Sequence, residues 1–332
     1  MSVEEVPVAG EGPAEVGGGP LPRVLIASEL KPLLPEDPLP GYEPIWISTE
    51  EETPTGDYVA IIPLLSRPMG ERELAGLPDL KVLAQCAVGF DNIDLEAAAR
   101  RGVPVTNTPD VLTESTADLA WALILAVARR LREGQEMLAK GEWTGWSPTQ
   151  LLGLELYGSK LGIVGAGRIG QAVARRGIGF GMEILYSDQE PRPDFEATTS
   201  ARFLDLPDLL RESDVVTVHV PSTPSTRGLF TKRLFDLMKP GALFINTARG
   251  DLVDEPALLS SLDEGRLAGA GLDVFSTEPA VPPEVANHPK VFALPHIGSA
   301  TTHTRRRMAE LAVRNAWAVL AGGDPVTPVP LP

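Results

Sequence analysis

Short apolar runs alternate with longer helical stretches along the chain from Arg23 onward. Apolar runs bounded by Gly or Pro are typical of buried parallel strands. In the first third of the chain they predict strands at Arg23–Ala27, Tyr58–Ile62, Lys81–Ala87 and Val103–Thr106. A helix is predicted at Leu95–Arg101, so this region should form one small α/β layer.

The stretch Ser115–Arg132 is rich in Ala and Leu and ends in arginines. This pattern predicts one long helix with cations in its last turn, where they complement the helix dipole. Because most of its faces are apolar, we expect it to be buried between domains or subunits.

A second series of elements begins at Ser159. The predicted strands are Lys160–Val164, Glu183–Ser187, Asp214–Val220, Ala242–Asn246, Ala270–Val274 and Val291–Leu294. The predicted helices between them are Gly167–Gly177, Leu206–Arg211, Thr231–Leu237 and Glu255–Glu264. Six strands with crossover helices predict an open parallel sheet wound in both directions. A last helix at Thr302–Leu320 should return to the first domain.

Composition narrows the class of protein. A length of 332 residues is typical of two domains, and the net charge of -16 argues against a nucleic-acid partner. The apolar stretches are too short for a transmembrane helix, so no membrane partner is expected. We find no set of metal ligands. Residues 1–22, rich in Gly, Pro and Glu, are predicted to form a flexible extension, and the lone Cys86 a buried thiol suited to a reducing cytoplasm.

A glycine-rich loop directly follows the strand Lys160–Val164 and reads Gly-Ala-Gly-Arg-Ile-Gly over residues 165–170. Gly165 permits a tight turn, Gly167 lets the backbone approach a pyrophosphate, and Gly170 lets helix and strand pack closely. The helix that follows offers amides to the phosphates. Its place between a strand and a helix favours a dinucleotide site.

Asp188 lies at the end of the next strand, where a carboxylate binds the adenosine ribose hydroxyls in such sites. A loop or capping aspartate is the alternative interpretation. Because a carboxylate repels a 2′-phosphate, NAD(H) is the expected cofactor. NADP(H) stays the alternative, since Arg192 follows four residues later.

Three side chains that could bind an anion or transfer a proton follow predicted strands. Reduction of a 2-oxo acid needs a cation for the carboxylate, a proton donor for the keto oxygen, and a group that tunes the donor. Arg249 is a candidate for the first, and His296 with Glu278 for the other two, because a carboxylate favours the charged imidazolium. Taken singly, Arg249 could be a surface arginine, Glu278 a loop residue and His296 a structural histidine.

Taken together, these motifs resemble the D-isomer-specific 2-hydroxyacid dehydrogenase family over about residues 23–327. The segments that carry the resemblance are Ala87–Asp94, Thr106–Pro109, Gly165–Gly170, His219–Pro221, Asn246–Gly250, Gly271–Phe275, Thr277–Pro279 and Pro295–Gly298. It implies an α/β fold of two Rossmann-like or flavodoxin-like domains with doubly wound parallel sheets. An NAD-binding domain at 110–297 would be inserted in a substrate-binding domain at 23–109 and 298–332. The active site would lie in the cleft between them, and the chain would form a homodimer through the nucleotide domain.

The resemblance also implies roles for individual residues. Arg249 would bind the substrate and polarise its carbonyl, Glu278 and His296 would be the acid–base pair, and Asp273 would contact the nicotinamide. The implied cofactor contacts are Gly165, Gly167, Arg168, Ile169, Gly170, Asp188, Val220, Pro221, Thr247, Ala248, Arg249, Asp273, His296 and Gly298. The implied substrate contacts are Leu65, the backbone amides of Val88 and Gly89, Arg249, His296 and Trp146.

Within the family the chain is most similar to glyoxylate/hydroxypyruvate reductases, through Thr108–Glu114, Gly141–Pro148 and Pro295–Ala300. In that subgroup the tryptophan at Trp146 can reach the partner subunit's pocket, although plain interface packing is the other interpretation. Three alternatives stay open: a phosphoglycerate or D-lactate dehydrogenase, a dinucleotide-sensing corepressor-like binding protein, and a methyltransferase. The last leaves Arg249, Glu278 and His296 unexplained.

Overall fold

The computed structural model describes residues 20–332 of the chain. They form two compact units, of which the first combines the residues up to Leu112 with Thr301–Pro332 and the second is Thr113–Ala300. The domain boundaries predicted from the sequence lie slightly earlier, at 109/110 and 297/298. The predicted flexible extension lies outside the described residues as far as residue 19.

The secondary-structure elements alternate along both units. The strands are β1 Arg23–Ala27, β2 Glu43–Ile47, β3 Tyr58–Ile62, β4 Val82–Ala84, β5 Val105–Thr106, β6 Lys160–Val164, β7 Glu183–Ser187, β8 Arg202–Phe203, β9 Val215–Val218, β10 Ala242–Asn246, β11 Leu267–Leu272 and β12 Val291–Ala293. The helices are α1 Glu71–Ala75, α2 Leu95–Arg100, α3 Thr113–Ala128, α4 Leu131–Ala139, α5 Arg168–Gly179, α6 Pro193–Thr199, α7 Leu206–Glu212, α8 Lys232–Phe235, α9 Glu255–Asp263, α10 Pro283–Ala286 and α11 Thr302–Leu320.

The first unit contains a parallel five-stranded sheet in the order β2-β1-β3-β4-β5. Successive side chains of a strand face opposite sides of the sheet, so each strand contributes side chains to the hydrophobic core on either face. Ile26 and Ile62 pack with α11, while Leu25 and Ile61 pack on the other face. Strand β2 was not predicted, because its sequence EPIWI begins with a charged residue and a proline, which an edge strand tolerates.

The second unit contains a parallel seven-stranded sheet in the order β12-β11-β10-β9-β6-β7-β8. The strand order reverses between β6 and β9, which makes this a doubly wound sheet with a switch point at that position. The predicted fold class of two parallel-sheet α/β domains is confirmed. The prediction of six strands was wrong by one, since β8 is only two residues long and carries no recognisable pattern.

The predicted long helix was wrong at its C-terminal end. Helix α3 stops at Ala128, Arg130 adopts a left-handed conformation with a φ of 51°, and α4 then begins. Arg132 donates to the carbonyls of His288 (3.1 Å) and Val291 (2.8 Å), so it holds the loop before β12 and does not cap α3. Helix α3 packs on the sheet of its own unit, where Gly271 leaves room for it.

Cys86 is buried as predicted, and burial raises the pKa of its thiol to about 12. Within residues 20–332 no helix is long and apolar enough to cross a membrane. In the same part of the chain, no group of three or more His, Cys, Asp or Glu side chains could hold a metal ion.

Candidate active site

The glycine-rich loop joins β6 to α5 at the switch point of the sheet. Gly165 has a φ of 95°, and a methyl group there would lie 2.8 Å from the carbonyl oxygen of His219. A methyl group on Gly170 would lie 2.1 Å from the carbonyl oxygen of Gly165. Both positions therefore exclude a side chain, as a tight turn and a close helix–strand contact require.

The residues around this loop fit a dinucleotide. Gly167, the N-cap of α5, has nothing within 4 Å of the position its β-carbon would take, so the backbone there is open to a ligand. The first amides of the helix, at Arg168 and Ile169, lie at its positive end. Across the switch point, the buried hydroxyl of Thr247 has no hydrogen-bond partner among the described residues.

Asp188 lies directly beside the glycine-rich loop. Its carboxylate accepts from the amides of Ala166 (3.2 Å) and Gln189 (2.8 Å), and from Nε of Arg192 (2.7 Å). The aspartate is largely buried, whereas the arginine is about half exposed. A cavity lined by Gln171 and residues of α6 adjoins Arg192. Asp188, the predicted ribose ligand, therefore forms an ion pair with Arg192, the residue that keeps NADP(H) open as an alternative.

Val220 and Pro221 follow β9 on the other side of the loop. The amide of His219 donates to the carbonyl of Val164 (2.7 Å), which joins the ends of β9 and β6. The imidazole of His219 contacts the buried hydroxyl of Thr217 (2.8 Å), and burial lowers the pKa of this histidine to about 3. His219 is therefore a neutral structural residue of the loop.

Arg249 is presented by a short loop after β10 that Asn246 shapes. The Asn246 amide donates to the carbonyl of Arg249 (2.8 Å), and its oxygen accepts from the amide of Ala248 (3.0 Å). Gly250 follows in van der Waals contact with the backbone of Phe275, where any side chain would collide. Asn246 was not predicted to shape this loop, although an asparagine at the end of a buried strand is a signal for such a turn.

Glu278 and His296 form the hydrogen bond that the sequence analysis expects. Oε2 of Glu278 lies 2.7 Å from Nδ1 of His296, and each side chain is about one third exposed, at 34% and 37%. Oε1 accepts from the amide of Phe275 (2.8 Å). Burial acts to raise the pKa of Glu278, but the bonds from His296 and Phe275 and the positive charge of Arg249 lower it below its ordinary value. The carboxylate therefore stays ionised next to the imidazole.

Asp273 sets the backbone that carries His296. This carboxylate is 1% exposed and accepts from the amides of Ile297 and Gly298, each at 2.8 Å. Burial raises its pKa to about 6 against the opposing effect of these two bonds. His296 itself has a φ of 53°, a left-handed conformation that a non-glycine residue keeps only when its neighbours are held firmly.

Glu255 is a site residue that sequence reasoning missed. It is buried at the first position of α9, and its Oε1 accepts from the amide of Ser276 (2.7 Å), two residues before Glu278. The preceding Asp254 caps the helix through the amide of Ala257 (3.0 Å). Two acids at a helix start indicate capping, but only the structure shows that the second one holds another loop.

The predicted substrate contacts Leu65, Val88 and Gly89 belong to the first unit, and the side chains described above belong to the second. Asn107 donates to the carbonyl of Val88 (2.8 Å), and Gln85 donates to that of Gly89 (3.3 Å). The backbone of this loop is therefore held by hydrogen bonds from the buried side chain of Gln85 and the half-buried side chain of Asn107.

Trp146 lies on a segment with unusual exposure of apolar groups. It is 84% exposed, and α4, which precedes it, has no buried residue. Six of the ten exposed large apolar side chains in the described residues belong to this segment: Leu131, Leu138, Trp143, Trp146, Leu152 and Tyr157. These six side chains lie close together in the sequence, and large exposed apolar patches are typical of interaction surfaces.

Comparison with known proteins agrees with this geometry. Residues 121–298, nearly the whole second unit, match the family model "D-isomer specific 2-hydroxyacid dehydrogenase, NAD binding domain". The glyoxylate reductase of Thermococcus litoralis is 48% identical over 270 residues, which cover 80% of this chain and 82% of that protein.

Two solved structures are similar over nearly their whole length. A protein from Thermus thermophilus is 43% identical, with a TM-score of 0.83 over 93% of this chain and 100% of that chain. An NADPH-dependent glyoxylate/hydroxypyruvate reductase from Sinorhizobium meliloti, in complex with NADP and malonate, is 36% identical, with a TM-score of 0.83 over 93% of this chain and 96% of that one.

The family match, the identity to curated relatives and the doubly wound sheet with its glycine-rich loop all point to one group of oxidoreductases. The chain belongs to the D-isomer specific 2-hydroxyacid dehydrogenase family.

Proposed function

We propose that this protein reduces glyoxylate or hydroxypyruvate to the D-2-hydroxy acid with a nicotinamide dinucleotide. The observation that carries the proposal is the 2.7 Å hydrogen bond between Glu278 and His296. This pair lies within the electrostatic reach of Arg249, as a proton donor and a carbonyl-binding cation require. The names of curated relatives, which are glyoxylate reductases, support the choice of substrate.

When bound, a nicotinamide dinucleotide would supply the hydride for this reduction. Arg249 binds the substrate and draws electron density toward its carbonyl oxygen. His296 donates a proton to that oxygen from Nε2, because Nδ1 is committed to Glu278. The ionised Glu278 binds Nδ1 of the imidazole and holds the ring in one orientation. The amides of Val88 and Gly89 bind the substrate carboxylate.

We expect His296→Ala to lower kcat for glyoxylate by about 10²- to 10⁴-fold, the usual contribution of a positioned proton donor. Arg249→Ala should raise KM and lower kcat together, since it removes binding as well as carbonyl polarisation. A steady-state assay over a panel of 2-oxo acids measures both effects. His303→Ala, which changes an exposed histidine, is the control. Near-normal turnover in His296→Ala would refute the assignment, and a strong preference for pyruvate would favour a D-lactate dehydrogenase.

Glu278→Gln tests the coupling of the acid–base pair. Glutamine fills the same space without a negative charge, so the proton donor loses the carboxylate that lies 2.7 Å from its Nδ1. The pH above which reduction declines should therefore move down by about one unit or more. The kcat/KM profile against pH measures this shift, and the exposed Glu284→Gln is the charge-matched control. An unchanged profile in Glu278→Gln would show that Glu278 does not act on His296.

We also propose NADH as the preferred cofactor. The proposal is supported by the Asp188 carboxylate, which is fixed beside the glycine-rich loop and would repel a 2′-phosphate. Asp188→Ser removes that repulsion and releases Arg192, a ligand suited to phosphate.

The ratio of kcat/KM with NADH to that with NADPH should exceed one in the wild type. It should fall by about tenfold or more in Asp188→Ser, which corresponds to about 1.4 kcal/mol. Glu190→Ser, which removes an exposed charge two residues away, should leave the ratio unchanged. A wild-type preference for NADPH would contradict the role of Asp188.

A homodimer and a cytoplasmic location complete the proposal. The exposed apolar side chains between Leu131 and Tyr157 support pairing through the second unit, and the substrate contact of Trp146 requires such a partner. The lone buried Cys86 suits a reducing compartment.

Leu138→Glu should shift the protein from dimer to monomer in analytical ultracentrifugation, because it places a charge in an apolar interface. Val326→Glu alters an equally apolar but separate exposed position and should leave the dimer intact. A wild-type monomer at micromolar concentration would overturn the pairing.

A further inference from the structure

The loop from Ala87 to Gly89 has three consecutive carbonyls that each accept a hydrogen bond from the neighbouring strand ends. The carbonyl of Ala87 accepts from the amide of Thr108 (2.9 Å), and that of Val88 from Nδ2 of Asn107 (2.8 Å). The carbonyl of Gly89 accepts from Nε2 of Gln85 (3.3 Å). These donors directly follow β4 and β5, so the carbonyls all face the end of the sheet.

This arrangement determines where the intervening amides point. In a trans peptide the N–H points opposite to the C=O of the same unit. The peptides of this loop are trans, since among the described residues the cis bond is at Glu278–Pro279. The N–H groups of Val88, Gly89 and Phe90 therefore point away from the sheet. No residue in 20–332 accepts a hydrogen bond from them, and all three residues are half-buried.

The orientation of the Gln85 amide is itself enforced. Gln85 is fully buried, and its Nε2 also donates to Oδ1 of Asn92 (2.8 Å). Nδ2 of Asn92 donates to the carbonyl of Arg67 (2.7 Å), which can only accept. Asn92 must therefore present its oxygen to Gln85, and Gln85 must present its nitrogen to the carbonyl of Gly89. The same network joins this loop to the segment that carries Leu65, because Asn92 also contacts the carbonyl of Leu64 (3.4 Å).

We propose that Gln85 and Asn107 are positioning residues that aim a nest of three amides, those of Val88, Gly89 and Phe90, at the substrate carboxylate. The inference rests on the proposed function and adds Phe90 N–H as a third donor. Successive outward amides form a concave site for an anion without any cationic side chain. In a protein of net charge -16, such a nest binds a carboxylate through dipoles that the structure holds in place before the ligand arrives.

Asn107→Asp is the main test, because it keeps the size of the side chain but replaces the donor to Val88 by an acceptor. The carbonyl of Val88 then turns from its place and the amides lose their alignment. We expect KM for glyoxylate to rise by about tenfold or more, while the Kd of NADH, measured by fluorescence, stays the same. Gln85→Met, which removes the other donor, should act in the same way.

Asn287→Asp, the same change at an exposed position, should leave both constants unchanged. Isothermal titration of oxalate into the NADH-loaded protein measures carboxylate binding without turnover. Asn107→Asp should weaken oxalate binding by about tenfold or more.

The outcomes separate the two proposals. A wild type that binds NADH and oxalate but reduces no 2-oxo acid refutes the proposed function and keeps the nest. A wild type that does not bind oxalate, or an Asn107→Asp protein with unchanged oxalate affinity and unchanged KM, overturns the nest. A parallel loss of NADH affinity in both variants would also overturn it, because it would indicate a general structural defect.

Discussion

The buried carboxylate of Asp273 is the interaction on which the candidate active site depends. It lies at the end of β11 and binds the amides of Ile297 and Gly298, each at 2.8 Å. These bonds hold the chain just after His296, whose left-handed backbone would otherwise relax toward a more favourable conformation. The direction of the imidazole toward Glu278 follows from this constraint. A buried charge is costly, and its raised pKa of about 6 reflects that cost.

Polar side chains also hold the backbone of loops at the other strand ends. Asn246 folds the loop that presents Arg249, Glu255 holds the segment before Glu278, and Gln85 and Asn107 hold the loop that contains Val88. In each case a side chain that contacts no proposed ligand binds the backbone of a loop that carries a proposed site residue. Backbone polar groups at strand ends need partners, and here these partners also set the geometry of the chemistry.

The charge of the protein and the charge of its proposed ligands have the same sign. The chain is acidic at -16, whereas a dinucleotide and a 2-oxo acid are anions. The groups proposed to bind these anions are local: in the second unit the amino end of α5 and the guanidinium of Arg249, and in the first unit the amides of residues 88–90. The net charge therefore argues against nucleic-acid binding, which needs a broad basic face, but it does not exclude the binding of small anions.

The sequence by itself determined the class of fold, the glycine-rich loop, and the partnership of Glu278 with His296. Buried parallel strands and a loop that excludes side chains are local properties, and β6, β7, β10 and α11 have the bounds that their patterns predict. The edge strands β2 and β8 were missed, because partial exposure or shortness removes the apolar signal.

Only the tertiary structure decided how α3 ends and which polar residues hold the loops. The sequence predicts that Arg132 is a cation at a helix end, but in the structure it donates a hydrogen bond to the carbonyl of His288. Asn92 and Gln85 are seven residues apart, and Glu255 and Ser276 are 21 apart. Such pairs have no periodicity, because contacts between separate loops depend on how the strands are ordered in the sheet and not on spacing along the chain.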